Sequence, residues 1–111
     1  MSFTVNKSEN LLKIILEDKR ATVDISGNFK EKVTNEIELG NSKVIVDLAV
    51  VEYVDSSFLG ALVAGLKRAT MKNGDLKLVS LQPPVRAMFD LTRLYRIFDI
   101  YDSMDEAEKS F

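Results

Sequence analysis

Few side chains in this sequence could carry out covalent chemistry. The 111 residues include no histidine and no cysteine, which excludes Ser-His and Cys-His nucleophile pairs, disulfides and the usual zinc ligand sets. Carboxylates, lysines and hydroxyls remain, and the most informative cluster of them is Asp55, Ser56 and Ser57. A hydroxyl beside a carboxylate at the start of a helix could accept a phosphate or could cap the helix.

The residues after this cluster predict a long helix from Ser57 to Lys72, which ends at Asn73-Gly74. Its apolar positions recur at helical spacing, and they are Leu59, Leu62, Val63, Leu66 and Ala69. The free N–H groups and the positive dipole end of a helix accommodate a phosphate on a first-turn serine. The same spacing also suits a purely structural role, in which Asp55 or Ser56 only caps the helix, and capping is the commoner role for such residues.

Before the cluster, the pattern predicts two strands and a short helix. Leu11–Glu17 and Ala21–Ser26 are rich in β-forming residues, which favours a hairpin preceded by an N-terminal extension over residues 1–10. Gly27-Asn28 then breaks the pattern, and a first helix is predicted over Phe29–Leu39. One face of that helix would be buried and would carry Phe29, Val33, Ile37 and, at its margin, Glu36.

The remaining segments predict a sheet with helices between its strands. Lys43–Leu48 is a compact apolar run, as in a central parallel strand covered on both faces. Further strands are predicted over Leu76–Leu81 and Ile97–Tyr101. Pro83-Pro84 would open a helix that buries Val85, Met88, Phe89 and Thr92, and the capping-box spacing of Ser103 and Glu106 predicts a last helix over Met104–Lys109.

These elements predict an α/β fold with one domain over residues 11–111. Its sheet would be mixed and four- to five-stranded, with about four helices packed against it. The glycines of the long helix, Gly60 and Gly65, would allow the helix to lie close to the sheet.

Several segments together resemble the STAS family of sulfate transporter and anti-sigma factor antagonist domains. An apolar strand, an Asp-Ser-Ser segment, a long helix, a further strand and a Pro-x-Val-x-x-x-Phe-x-x-Thr helix occur in the family's order. The matching segments lie within roughly residues 11 to 108, and they are Val44–Leu48, Tyr53–Ser57, Leu59–Val63, Lys77–Val79 and Pro84–Thr92.

The resemblance implies a noncatalytic switch in transcription regulation, with no cofactor and no metal. In anti-sigma factor antagonists the hydroxyl after the aspartate is phosphorylated by the partner anti-sigma factor, a serine kinase, and a serine phosphatase removes the phosphate. That position is Ser56. The partner surface would comprise Gly27, Asn28, Phe29, Lys30, Asp55, Ser57, Phe58 and Leu59.

Three departures from the family pattern bear on this surface. Phe58 stands where the family has glycine, which would reduce access to Ser56. Gly27–Lys30 stands where the family has a Gly-Glu-Leu-Asp loop, and Lys30 reverses a charge there. The short segment over residues 29–42 implies a trimmed first helix.

Two alternatives therefore stay open beside the switch. The first is a STAS scaffold or sensor that binds a protein or small ligand without reversible phosphorylation. The second is an enzyme using Asp55 and Ser56, which would have to turn over a substrate without histidine, cysteine or a cofactor loop.

Charge and hydropathy restrict the partners and the location. A net charge of -2 gives no general attraction to nucleic acid or to an anionic membrane surface. No apolar run approaches the roughly 18 residues of a membrane span, and residues 1–10 lack the apolar centre of a signal peptide. The expected partner is a protein in the cytoplasm.

Overall fold

The computed structural model describes residues 2–8 and 10–111. In these ranges the elements follow one another as β1 (Phe3–Ser8), β2 (Leu11–Leu16), β3 (Arg20–Ala21), α1 (Val23–Glu38), β4 (Lys43–Asp47), β5 (Tyr53–Val54), α2 (Ser56–Met71), β6 (Asp75–Val79), α3 (Pro83–Thr92), a 3-10 turn (Leu94–Arg96), β7 (Ile100–Tyr101) and α4 (Met104–Lys109).

A five-stranded mixed sheet in the order β1-β2-β4-β6-β7 forms the centre of the fold. β1 and β2 are antiparallel, and the other neighbouring strands are parallel. β4 lies in the middle, and Val44, Ile45 and Val46 are fully buried because helices cover both faces there. The α/β class, the mixed sheet and the central position of Lys43–Leu48 are thereby confirmed.

The main core lies between the sheet and the helices α1, α2 and α3, whose buried residues join those of β1, β2, β4 and β6. On the opposite face α4 covers a smaller cluster of Ile45, Val79 and Ala107. Lys77 is also buried on that face, where its ammonium group donates to Ser110 Oγ at 2.7 Å. Burying a lysine is costly unless its charge is satisfied, so this contact helps hold α4 against the sheet.

The later helices agree with the sequence pattern. α2 begins and ends within one residue of the predicted bounds, and α4 has the predicted bounds. Ser103 Oγ accepts the Glu106 N–H at 3.2 Å, which confirms that Ser103 caps α4. Thr92 is an exception, because it is exposed rather than buried. Its hydroxyl donates to the Met88 carbonyl at 2.7 Å and so needs no partner in the core.

The predicted hairpin of Leu11–Glu17 with Ala21–Ser26 is wrong. β2 pairs instead with residues 3–8, from Phe3 opposite Leu16 to Ser8 opposite Leu11. These residues were predicted to be an extension outside the sheet, yet Phe3 is buried and its ring packs edge-on against that of Phe29 at 5.8 Å. The polar composition of β1 fits an edge strand, which has one side open to water.

The first helix starts six residues earlier than predicted, at Val23 instead of Phe29. Ile25, Phe29, Val33 and Ile37 repeat every four residues, and all are buried on one face. Within Ala21–Ser26 the apparent alternation of Val23 and Ile25 suggested a strand, but Val23 is 65% exposed. The helix is therefore not trimmed, and the Gly27–Lys30 segment lies inside it rather than in a loop.

In the part of the chain that the structure describes, no helix is long and apolar enough to cross a membrane.

Candidate functional site

Asp55 joins the beginnings of two helices. It is the N-cap of α2, and its Oδ1 accepts the Phe58 N–H at 2.9 Å. Its Oδ2 accepts the Val23 N–H, in the first turn of α1, also at 2.9 Å. Thr22, the N-cap residue of α1, makes no cap bond with its own side chain. One carboxylate therefore satisfies first-turn amides of both helices, and the capping role considered for Asp55 is confirmed.

A two-stranded ribbon holds this junction in place. β3 and β5 run parallel, with Arg20 opposite Tyr53 and Ala21 opposite Val54. The Lys19 carbonyl accepts the N–H groups of Glu52 and Tyr53 at 2.7 and 3.1 Å, and the Ala21 carbonyl accepts the Asp55 N–H at 3.3 Å. Backbone bonds thus fix the segment before α1 against the segment before α2.

The two serines that follow are exposed at the first two positions of α2. Among the described residues neither the Ser56 nor the Ser57 hydroxyl takes part in a hydrogen bond, because Asp55 performs the capping. The first turn of α2 carries no acidic side chain. Both hydroxyls are accessible, and the neighbouring carboxylate is occupied by two amide donors.

The predicted apolar contact residues face the other way. Phe29 and Phe58 are fully buried, Leu59 is 5% exposed, and the two rings pack at 4.9 Å between centroids. In this conformation the prediction that these three side chains contact a partner is wrong, because α1 and α2 use them to pack against each other and the sheet. Phe58 also does not cover Ser56, so the expected obstruction of the hydroxyl is absent.

Most of the other predicted contact residues are exposed, and three of them line one depression. Gly27, Asn28 and Lys30 lie on the outer side of α1. Between α1 and α2 there is an open depression of about 380 Å³, lined by Ser26, Gly27, Lys30, Ser57, Gly60 and Ala61. The structure therefore brings Gly27 and Lys30 beside Ser57, although as part of a helix surface rather than the loop that the resemblance implied.

The two glycines of α2 differ in surroundings. A Cβ on Gly65 would meet Leu76 Cδ1 at 2.9 Å and Val33 Cγ1 at 3.2 Å, so this residue allows the close approach that was predicted. A Cβ on Gly60 would meet nothing within 4 Å, so the same prediction for Gly60 is wrong. Gly60 instead lines the depression between α1 and α2 and, having no side chain, leaves it open.

Three exposed residues near the Asp55 junction lie outside the set predicted from the sequence. Val23 is 65% exposed and Tyr53 is 46% exposed, and the Arg20 guanidinium lies 4.5 Å from the centre of the Tyr53 ring. No periodicity could have indicated them, because they belong to two-residue strands and a helix start. Only the pairing of β3 with β5 brings them together.

Glu36 lies outside this junction, and its charge has a structural role. Burial by itself raises the pKa of Glu36, but hydrogen bonds from Lys32, Lys7 and Asn41 outweigh it, so the pKa lies below the ordinary 4.5. Its carboxylate binds Lys7 of β1 at 3.1 Å and Lys32 at 3.1 Å, which ties the edge strand to α1. Within residues 2–8 and 10–111, no cluster of three or more acidic side chains is arranged to hold a metal ion.

Comparisons with known proteins match this architecture. The model of the STAS domain family matches residues 21–107. A Thermotoga maritima protein named as a candidate anti-sigma factor antagonist is 35% identical over 95 residues, which are 85% of this chain and 84% of that protein. A crystal structure of a Thermotoga maritima protein of the same description superposes with a TM-score of 0.87 at 31% identity, covering 97% of this chain and 92% of that one.

A more distant neighbour is the Bacillus cell fate determinant SpoIIAA in its phosphorylated form. The TM-score is 0.78 at 17% identity, with 97% of each chain covered, and this likeness shows the fold alone. The family match and the Thermotoga relatives confirm the resemblance that the sequence segments indicated. The chain belongs to the STAS domain family.

Proposed function

We propose that the chain is an anti-sigma factor antagonist, a noncatalytic switch whose phosphoacceptor is Ser56. In its unphosphorylated form it binds an anti-sigma factor that is a serine kinase and thereby frees a sigma factor for transcription. Phosphorylation of Ser56 by that kinase ends the interaction, and a serine phosphatase restores it. The observation that carries the proposal is the exposed Ser56 hydroxyl, which stands at the start of α2 while Asp55 alone caps the helix.

The comparisons support this proposal through the relatives' names. The Thermotoga relatives are described as anti-sigma factor antagonists. One SpoIIAA structure is described as that of an anti-sigma factor antagonist in its unphosphorylated form. A second SpoIIAA structure is described as the phosphorylated form. A STAS domain of this size and shape is thus compatible with a phosphorylated state.

The physical effect of a phosphate at this position has two parts. The helix start can accept it, because the first amides and the dipole of α2 favour negative charge. A docked protein cannot accommodate the phosphate. The phosphate adds about 1.5 to 2 negative charges beside the Asp55 carboxylate, and it must be desolvated at the interface. The fold is therefore retained while the interface is lost.

The partner surface consists of the exposed members of the predicted set. Gly27, Asn28 and Lys30 contribute from α1, and Ser57 and the partly exposed Asp55 contribute from the start of α2. The side chains of Phe29, Phe58 and Leu59 support this surface from below. The surface is a place for docking a protein in the cytoplasm, with no direct part for nucleic acid, membrane or cofactor.

Phosphosite mapping tests the proposal. The purified chain is incubated with ATP and the anti-sigma factor kinases of its source genome, and the modified peptide is identified by mass spectrometry. Phosphate on Ser56 is expected. Ser56→Ala should abolish the modification, whereas Ser57→Ala, a matched change at the next exposed serine, should leave it. A chain unmodified by a kinase that modifies its own antagonist would favour the scaffold or sensor alternative.

A further inference from the structure

We propose that Arg20, Tyr53 and Val23 form the anchor surface for the anti-sigma factor, and that they bind an apolar segment that carries a carboxylate. This inference rests on the proposed function and specifies the chemistry of the partner. In this proposal the three exposed residues hold the partner in place of Phe29, Phe58 and Leu59, which are buried.

The surface combines an aromatic ring, a guanidinium and a branched aliphatic side chain. Tyr53 is 46% exposed and Val23 is 65% exposed, and Arg20 stacks on the Tyr53 ring at 4.5 Å. Tyrosine and arginine are the residue types that most often dominate the energetics of protein interfaces. An exposed stacked pair of this kind offers contact area and a charge at the same position.

The charge of Arg20 is available to a partner. Among the described residues Arg20 belongs to no ion pair. Asp18 and Asp24 line a depression of about 340 Å³ together with Arg20, yet the guanidinium lies over the aromatic ring instead of bonding either one. A carboxylate on the partner would complete this group, since arginine forms paired hydrogen bonds with carboxylates. The surface therefore offers an acidic group a cation next to apolar side chains, with Asp18 and Asp24 at its edge.

The pair is held rigidly before any partner arrives. Arg20 and Tyr53 are opposite each other in the β3–β5 ribbon, and the Lys19 carbonyl accepts the Tyr53 N–H at 3.1 Å. Val23 is tied to Asp55 through its own N–H at 2.9 Å. Because the backbone at these positions is fixed by hydrogen bonds, little backbone freedom is lost on binding.

The position of the surface couples it to the switch. Tyr53 and Ser56 are three positions apart in the chain, so their Cα atoms are at most about 11 Å apart. This upper bound is somewhat longer than the screening length of about 8 Å at physiological salt, so the field of a phosphate would reach the surface weakened but not abolished. A phosphate on Ser56 would bring a second anion to the surface that takes the partner's carboxylate, and it would therefore weaken this contact.

Affinity measurements with matched variants test the anchor. The dissociation constant of each purified anti-sigma factor kinase from the source genome is measured by calorimetry for the wild type, Tyr53→Ala and Arg20→Glu. Both variants should bind at least about tenfold more weakly. Tyr53→Phe should bind within about twofold of wild type, because the ring rather than the hydroxyl supplies the contact.

Two controls stand outside the ribbon. Tyr95 is 47% exposed, almost the same as Tyr53, and it lies with the exposed Arg96 in the 3-10 turn after α3. Tyr95→Ala and Arg96→Glu should change affinity less than about twofold. Thermal unfolding of all variants shows whether a loss of binding is a loss of fold, and Arg20→Gln provides a milder substitution if Arg20→Glu unfolds.

The outcomes separate this inference from the proposed function. Wild-type binding that is lost in Ser56→Asp but unchanged in Tyr53→Ala and Arg20→Glu would overturn the anchor and leave the switch standing. Wild-type protein that binds none of the kinases would overturn both. Losses confined to the ribbon variants support the anchor.

Discussion

The carboxylate of Asp55 accepts the backbone N–H of Val23 at 2.9 Å, which joins the start of α1 to the start of α2. The other oxygen of the same carboxylate caps α2 through Phe58. As a result Ser56 has no structural task among the described hydrogen bonds, although it stands at the helix start. The aspartate caps the helix, and the Ser56 side chain stays exposed to solvent.

Asp55→Ala should destabilise the chain by about 2 kcal/mol, because it removes one capping bond from each of two helices at about 1 kcal/mol each. Asp55→Asn keeps one carbonyl acceptor and should cost roughly half as much. Urea unfolding measures both. Ser56→Ala should change the free energy of unfolding by less than about 0.5 kcal/mol, and a loss as large as that of Asp55→Ala would show that Ser56 is structural.

Alanine at the two α2 glycines should have opposite effects. Gly65→Ala should destabilise by about 1–3 kcal/mol, because its Cβ would lie 2.9 Å from Leu76 Cδ1. Gly60→Ala should stabilise by about 0.5–1 kcal/mol, because the site is open and alanine is the better helix former. Thermal or urea unfolding compares the pair. A destabilising Gly60→Ala would contradict the open depression between α1 and α2.

Glu36 should make the free energy of unfolding depend on pH in the acidic range. Its pKa is lowered in the folded chain from the ordinary 4.5, so the unfolded chain binds more protons between the two values. The stabilisation is therefore complete above about pH 4.5 and is lost as the pH falls through the folded pKa. Urea unfolding from about pH 7 to about pH 3 should show Glu36→Gln less stable than wild type at neutral pH, with the difference shrinking in acid.

The control for this pH series is Glu38→Gln. Glu38 pairs with Arg68 at 2.7 Å and with Lys72 at 3.4 Å, but its side chain is 44% exposed, against 5% for that of Glu36. Exposed ion pairs contribute little because water and salt screen them, so this variant should show a smaller effect at neutral pH. Equal effects from the two glutamates would show that burial of Glu36 is unimportant.

Ser56→Asp should bind the anti-sigma factor at least about tenfold more weakly while keeping the fold. The new carboxylate lies at the positive end of α2, where it should stabilise the helix by about 0.3–1 kcal/mol. At the interface the same charge must be desolvated next to Asp55. Calorimetry and thermal unfolding on the same samples separate the two effects. Wild-type affinity in a folded Ser56→Asp variant would count against the switch.

The sequence was most informative where one local signal and the tertiary packing agreed. The capping box at Ser103 and the long apolar repeat of α2 predicted their helices within one residue. Lys43–Leu48 was assigned to the sheet centre because an uninterrupted apolar run must be covered on both faces. These elements place the Asp55–Ser57 cluster at a helix start, which is the part of the site that could be predicted.

Two short-range signals point away from the observed start of α1 and the observed burial of Phe58. Gly27-Asn28 was interpreted as a helix boundary, yet the buried series from Ile25 to Ile37 continues through it, because tertiary burial outweighs the roughly 1 kcal/mol that a helical glycine costs. The sequence also suggests Phe58 as a contact residue, because it belongs to the segment over residues 55–59 that contains Ser56. In a helix, however, residues two positions apart point about 200° away from each other, so Phe58 lies in the core while Ser56 faces solvent.

The switch itself is tested most directly by the affinity of the anti-sigma factor for two forms of the wild-type chain. One form is unphosphorylated, and the other carries phosphate on Ser56 as verified by mass spectrometry. Calorimetry should show binding of the unphosphorylated form and a dissociation constant at least about a hundredfold higher for the phosphorylated form, since about 1.5 to 2 added charges enter the interface. Equal affinities would contradict the proposal that Ser56 phosphorylation controls the partner.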